Sequence, residues 1–392
     1  MTETPRRRVE SVDLLRGTVM IIMALVHVRD YFGGIGVSPT NLATTTVPLF
    51  FTRWITHFCA PVFFLLTGTG AYLAGRRRPP RELAWFLVTR GVWLLVLDAL
   101  VLRSFAFQFN VDYRVTVLNV LWAIGWTMIV LAALVRLRPA VVLAFGAVMI
   151  ATHNLLDPIR PAALGSFAPL WTLLHVQGVL VNAPGHVVLS AYPLIPWIGV
   201  TAAGFGLGPI FDWPPERRRR LLLRAGTALT IAFVGLRWLN VYGDPSRWSV
   251  QSSAAMTLVS FLNVTKYPPS LLFLLMTLGP ALILLALVDG PAPRRLRPVL
   301  TFGAVPMFYF IVHIFAIHAL AVVVSFARYG EVRRMFESPD LAHFPFSEPP
   351  GWPLALPVVY AIWIALVIAL YPLCRWYAGV KAKGGRPWLS YL

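Results

Sequence analysis

Ten stretches of about twenty predominantly apolar residues follow one another along the chain with short polar breaks, and no other feature limits its fold as much. Each is long enough for one helical crossing of a bilayer, and together they occupy residues 14–32, 49–75, 83–102, 115–135, 139–155, 187–211, 220–239, 268–288, 299–326 and 354–374. The chain is therefore read as an all-α polytopic integral membrane protein of about ten transmembrane helices. No long polar insert separates the runs, so residues 1–392 form one membrane domain. With 58% hydrophobic and 13% charged residues, the composition excludes the soluble globular class.

The charges orient this bundle. Of 34 Lys and Arg, 22 fall at the N-terminus (Arg6 to Arg8, with Arg16), in alternate loops (76–81, 136–138, 217–224, 294–297) and at the C-terminus (375–386), while 11 lie on the opposite side. An even number of spans with this alternation puts both termini in the cytoplasm. The net charge of +18 is thus a topology signal rather than a nucleic-acid footprint. The N-terminal arginines precede an apolar stretch, but that stretch contains Arg16 and His27 and has no small-residue cleavage site, so no signal-peptide cleavage is expected. Cys59 and Cys374 are expected at opposite depths, unpaired and serving packing.

The first span carries a polar ladder. Asp13, Arg16, Met20, Met23, His27 and Asp30 are spaced alternately three and four residues apart, which places them on one helix face. Arg16 and His27 stand ~16 Å apart along that stripe. Ionisable groups at membrane depth cost on the order of 2.5 kcal/mol or more each and face a cavity, a partner or a substrate. His27 is the leading general base, with Asp30 to orient it. His57, four residues after Arg53 on the second span, and His313 on the ninth are its candidate assistants. His153, His186 and His318 rank lower, and His175 and His343 are read as surface residues. Arg90 and Asp98 are read as buried partners of neighbouring spans, and Gly204, Gly206 and Gly208 as sites of tight helix contact.

On the side opposite the basic loops, residues 253–263 suit a short interfacial helix. Asn240 and Asp244 in LNVYGDP, with Lys266 and Tyr267 in TKYPPS, are candidates for holding a substrate together with Arg53, and Pro268 and Pro269 are expected to open the eighth span. No H-E-x-x-H, cysteine pair or close His/Asp motif is read, so no metal is expected. Nucleophile-elbow, P-loop and dinucleotide motifs are absent from the sequence.

SVDLLRG at 11–17, His27, HFCAPVFFLLTGTGAYL at 57–73, PMFYFIVHIFAIH at 306–318 and RPWLSYL at 386–392 together resemble the heparan-alpha-glucosaminide N-acetyltransferase-like catalytic domain family, in its bacterial branch. The L-R-G followed by a histidine eleven residues after the arginine also resembles the membrane acyltransferase-3 group. There the matching Arg and His belong to the active site, which implies such a role for Arg16 and His27. The resemblance implies transfer of an acetyl group from cytoplasmic acetyl-CoA, whose phosphates would sit near Asp13 and Arg16, to a glycan or similar acceptor beyond the membrane. It further implies a bacterial cytoplasmic membrane location, and a homo-oligomer is compatible with it. The eukaryotic enzyme's histidine in the loop after the first span has no counterpart in 33–48, so His27 or His57 would have to serve. The competing reading is a proton-coupled transporter or flippase that uses the same ladder as a permeation path.

Overall fold

The computed structural model describes residues 9–383, so Arg6 to Arg8 and the RPWLSYL segment lie outside the described residues. The protein is a helical bundle. Helix α1 (Glu10–Phe32) is followed by α2 (Val47–Thr56) and α3 (Cys59–Gly75), then by α4 (Pro80–Val96), which runs on as a π-helix over Leu97–Phe107. Next come α5 (Val120–Leu134), α6 (Pro139–Thr152), the short α7 (Ala168–Leu174), α8 (Leu194–Leu207) and α9 (Pro215–Leu239). The chain closes with α10 (Ala254–Leu262), α11 (Leu271–Leu287), α12 (Arg297–Ala304), α13 (Pro306–Tyr329) and α14 (Leu356–Lys383).

Among the described residues, eight helical segments are long and apolar enough to cross a membrane, which makes this an integral membrane protein. The expected fourth and eighth spans fall on α5 and α11, apolar helices of 15 and 17 residues, so eight of the ten expected spans meet the length of a full crossing. Two local causes shorten α5 and α11. Residues 115–118 form a strand, and α11 begins only after Ser270, whose hydroxyl accepts from the Phe273 N–H at 3.0 Å. Pro268 and Pro269 therefore precede the helix instead of opening it. The ninth span is also divided, because Val305 departs from helical geometry ahead of Pro306 and separates α12 from α13.

A three-stranded sheet, absent from the sequence expectation, caps one end. β1 (Val115–Leu118) pairs in parallel with β3 (His186–Ser190), which pairs antiparallel with β2 (Gly178–Ala183). Val and Thr dominate β1, and Val and Leu the inner part of β3, as suits a half-buried ribbon. Residues 253–263, expected as a short helix, form α10, with Ser253 accepting from the Met256 N–H at its start.

Polar contacts define the two ends of the bundle. At one, Arg76 pairs with Asp212, Arg218 with Asp289, and the Glu10 carboxylate accepts from Ala292 N–H. This end gathers the arginine-rich connections. At the other, the Trp352 indole donates to Tyr31 O at 2.7 Å, Asn263 to Thr40 O at 2.9 Å, and Tyr242 to Ala151 O.

Glycines let backbones meet inside the bundle. A Cβ on Gly17 would stand 2.0 Å from Val299 O, and one on Gly303 would stand 1.9 Å from Asp13 O, so α1 and α12 are in direct backbone contact. Gly204 meets Leu65 O of α3 at 2.0 Å in the same way, in line with the tight-contact reading of the 204–208 glycines.

Candidate functional site

The ladder of α1 faces two cavities in succession. Arg16 and Met20 line a lower cavity of 380 Å³ toward the arginine-rich end, while Met23, His27 and Asp30 line an upper cavity of 320 Å³ toward the other. Phe63 of α3, Val120 of α5 and Phe310 of α13 line both, so these three side chains form a wall that the cavities share.

In the upper cavity, His27 lies against an aromatic edge. The Phe107 ring, carried there by the π-helix, is 5.7 Å away centroid to centroid, Phe310 is at 6.3 Å and His313 at 5.2 Å. The π-helix is anchored to α1 by the Tyr31 hydroxyl, which donates to Phe107 O at 2.7 Å. His313 is fully buried and its Nδ1 lies 2.8 Å from Tyr309 O. A carbonyl only accepts, so Nδ1 carries the hydrogen and Nε2 of neutral His313 presents a lone pair, for which the described residues offer no partner. The pair thus offers proton-accepting nitrogen beside the cavity. His318, on another face of α13, reaches Met335 O with Nε2 at 2.7 Å and Ala106 O with Nδ1 at 3.3 Å, and so ties α13 to its neighbours rather than entering the cavity.

Asp30 and Arg53 both line the upper cavity, but Asp30 is bonded to Arg29, and among the described residues no hydrogen bond joins it to His27. Adjacent residues on a helix diverge, yet the Arg29 side chain is long enough to curl back onto the Asp30 carboxylate. His57 does not follow Arg53 into the cavity. Residues 57 and 58 keep right-handed helical dihedrals between α2 and α3, but it is Arg53, Thr56, Cys59, Ala60 and Phe63 that face the cavity, so His57 falls at the edge of that face and its ring is buried against Phe273 at 5.3 Å, with Nδ1 unpartnered among the described residues.

Lys266 and Tyr267 complete the wall opposite α1. The Lys266 ammonium stands 4.9 Å from the centre of the Tyr267 ring, and the Tyr267 hydroxyl donates to that of Tyr192 at 3.4 Å. Burial alone raises a phenol, but here the charges of Lys266 and Arg53 outweigh it and bring Tyr267 down to about 8. Lys266 itself is lowered by burial and by Arg53. Three cations, Arg29, Arg53 and Lys266, thus line one cavity with a single carboxylate, Asp30, a charge balance that stabilises an added negative charge such as a developing oxyanion.

Asn240 and Asp244, expected to touch substrate, line neither cavity. Asn240 ends α9 in a left-handed conformation (φ 58°) and exchanges hydrogen bonds with the Trp248 backbone. Asp244 accepts from Thr265 N–H at 2.8 Å and from the Ser270 hydroxyl at 2.6 Å, bracketing the segment that presents Lys266 and Tyr267. Both are scaffolding for the cavity wall.

In the lower cavity, Arg16 donates to Asp13 at 2.8 Å and to Gly303 O at 3.2 Å. Asp13 lines neither cavity and acts by holding Arg16. Arg90 and Lys381 join Arg16 in the lining, and the Arg90 guanidinium lies 4.5 Å from the Phe86 ring centre. Asp98 is buried and accepts from Asn119 N–H at 3.3 Å.

Sequence reasoning does not place Tyr192, Arg29, Lys381 or the three wall residues at the site. A tyrosine immediately before the proline that precedes α8 is the only local signal among them. His343 is half-exposed as expected, whereas His175 is buried at 1% exposure and not at the surface.

Among curated proteins none matches the chain. Residues 8–243 match the family described as heparan-alpha-glucosaminide N-acetyltransferase, catalytic. The match covers more than half of the chain and includes Arg16, His27, Asp30, Arg53 and Tyr192, while Lys266, Tyr267 and His313 fall beyond it. A polytopic helical fold whose matched part supplies the α1 ladder and most of both cavities agrees with that result, and the chain belongs to the heparan-alpha-glucosaminide N-acetyltransferase catalytic family.

Proposed function

We propose that the protein is a transmembrane acyltransferase that takes an acetyl group from cytoplasmic acetyl-CoA in the lower cavity and gives it to a glycan or similar acceptor in the upper one. The observation that carries this reading is the single face of α1 lining two cavities whose walls share Phe63, Val120 and Phe310. In this reading the arginine-rich end is cytoplasmic. The phosphates of the donor lie against Arg16, Arg90 and Lys381, and its pantetheine arm follows the ~16 Å from Arg16 to His27. His27 takes the proton from the acceptor amine or hydroxyl as that atom bonds to the thioester carbonyl carbon. The Arg53 and Lys266 charges stabilise the oxyanion, the carbon–sulfur bond breaks, and the leaving thiolate receives the proton from His27. His313, beside His27, assists by sharing that proton. Neither His57 nor Asp244 has a part in this scheme.

The test is acetyl transfer from labelled acetyl-CoA to glucosamine by the full-length protein in liposomes. Wild type should bind acetyl-CoA calorimetrically, form labelled product and release thiol, and His27→Ala should lower the rate by about 10²- to 10⁴-fold. Absence of acetyl-CoA binding by wild type, or undiminished transfer by folded His27→Ala, overturns the scheme. Solute counterflow that needs no CoA would establish transport instead.

A further inference from the structure

Away from both cavities, at the same end of the bundle as His27, three side chains converge that the sequence does not mark as a set. His153 closes α6, Asp157 follows after one tight turn, and His175 is the first residue beyond α7. One donor atom from each lies within 4.8 Å of the other two, and His175 Nε2 is 3.1 Å from Asp157 Oδ1. His153 is 2% exposed, yet neither of its ring nitrogens has a hydrogen-bond partner among the described residues, and Nδ1 of buried His175 has none either.

An imidazole shut away from water with both nitrogens unpaired is unfavourable whichever tautomer it adopts, because one nitrogen always bears a hydrogen and the other a lone pair. A cation satisfies the lone pair, and the neighbouring carboxylate balances its charge. Asp157 is already oriented to do so, since its Oδ2 accepts from Asn154 Nδ2 at 2.8 Å and Oδ1 is thereby turned toward the histidines. Zinc bonds of about 2.0–2.2 Å place tetrahedral ligand atoms roughly 3.3 Å apart, close to the separation that His175 and Asp157 already have. Two imidazoles with one carboxylate form a nitrogen-rich set that suits zinc and not the oxygen-seeking magnesium or calcium.

We propose that His153, Asp157 and His175 bind one zinc ion, with water in the fourth position. The Asp157 side chain is 25% exposed, which gives the ion an entry from outside the bundle. None of the three residues lines either cavity, so the ion fastens the fold and takes no part in transfer. It closes the connection from α6 to α7 on itself. Through Asn154, whose Oδ1 accepts from Leu271 N–H at 2.8 Å, it also braces the start of α11, directly after the segment that carries Lys266 and Tyr267.

The experiment uses the full-length protein in detergent, purified without a histidine tag, stripped with chelator and dialysed against zinc chloride. Wild type should retain one zinc per chain by elemental analysis, and His153→Ala/His175→Ala should fall to background. Chelation should lower the melting temperature of wild type and leave that of the double variant unchanged. Substitution by cobalt(II) should give wild type a tetrahedral visible spectrum. His153→Cys should keep the ion and add a thiolate-to-cobalt charge-transfer band, which separates lost ligation from lost folding. Wild type without bound zinc, equal zinc in wild type and double variant, or a cobalt-loaded His153→Cys protein lacking the charge-transfer band would each overturn the proposal.

Discussion

A membrane histidine has chemical meaning only through what its nitrogens touch. His27 opens onto the upper cavity and ends among aromatic rings, whereas both nitrogens of His318 face backbone carbonyls, and nothing in their immediate sequence separates the two. Spacing is what makes His27 legible, since the three-and-four alternation from Asp13 to Asp30 assigns a face, and that face is the one the cavities adjoin. The same rule misplaces His57, because four residues carry it about 40° past Arg53, away from the side that Thr56, Cys59 and Ala60 turn to the cavity. Tyr192 and Tyr267 meet across a gap of 75 residues, which no local pattern records. The acidified Tyr267 gives a direct test. Tyrosinate absorbance should rise with a midpoint near pH 8, vanish in Tyr267→Phe, and move up toward the ordinary ~10 in Lys266→Met. Because the folded value is depressed, ionised Tyr267 contributes stability above pH ~10 that is gone once the pH falls below about 8. A wild-type titration that superimposes on that of Tyr267→Phe through this window would rule the assignment out.

At the scale of elements, the cavity depends on segments that lack regular structure and are held by buried charge. Arg237, 1% exposed at the end of α9, donates to Phe261 O, Ser246 O, Ser260 O and Asn263 O at 2.6–3.1 Å. One guanidinium therefore organises both sides of α10 and, through them, the approach to Lys266. Arg237→Met leaves four carbonyls without their donor and should cost on the order of 3 kcal/mol or more, measured by thermal unfolding in detergent, with faster proteolysis between residues 240 and 265. The α1–α12 contact makes a separate prediction. Gly17→Leu forces a side chain onto Val299 O and should destabilise by about 1–3 kcal/mol or more in the same assay, while Gly70→Ala, which meets nothing within 4 Å, should be nearly neutral. Apolar runs and basic clusters are enough to read the helical class and the order of most helices. They cannot reveal the strands, the π-helix or the shortened α5 and α11, because those depend on pairings and caps made by distant parts of the chain.

For the whole molecule, the matched family region ends near α9, yet the bundle is not complete there. α13 supplies Phe310 and His313, and the loop before α11 supplies Lys266 and Tyr267, so the remainder of the chain finishes a chamber that the family region begins. The common wall of Phe63, Val120 and Phe310 is the point where the two halves of the site meet. In the proposed scheme, opening it with Phe63→Ala should leave acetyl-CoA binding in place while liposomes that contain the variant lose an imposed pH gradient measurably faster than wild type. Equal rates of loss would mean that the wall is thicker than these three side chains. A two-sided enzyme with a continuous bore would short-circuit the membrane that houses it, since water and protons follow any channel wide enough for a thioester. In the proposed scheme, the apolar side chains that the two cavities share would give such an enzyme reach across the bilayer while keeping it electrically insulating between turnovers.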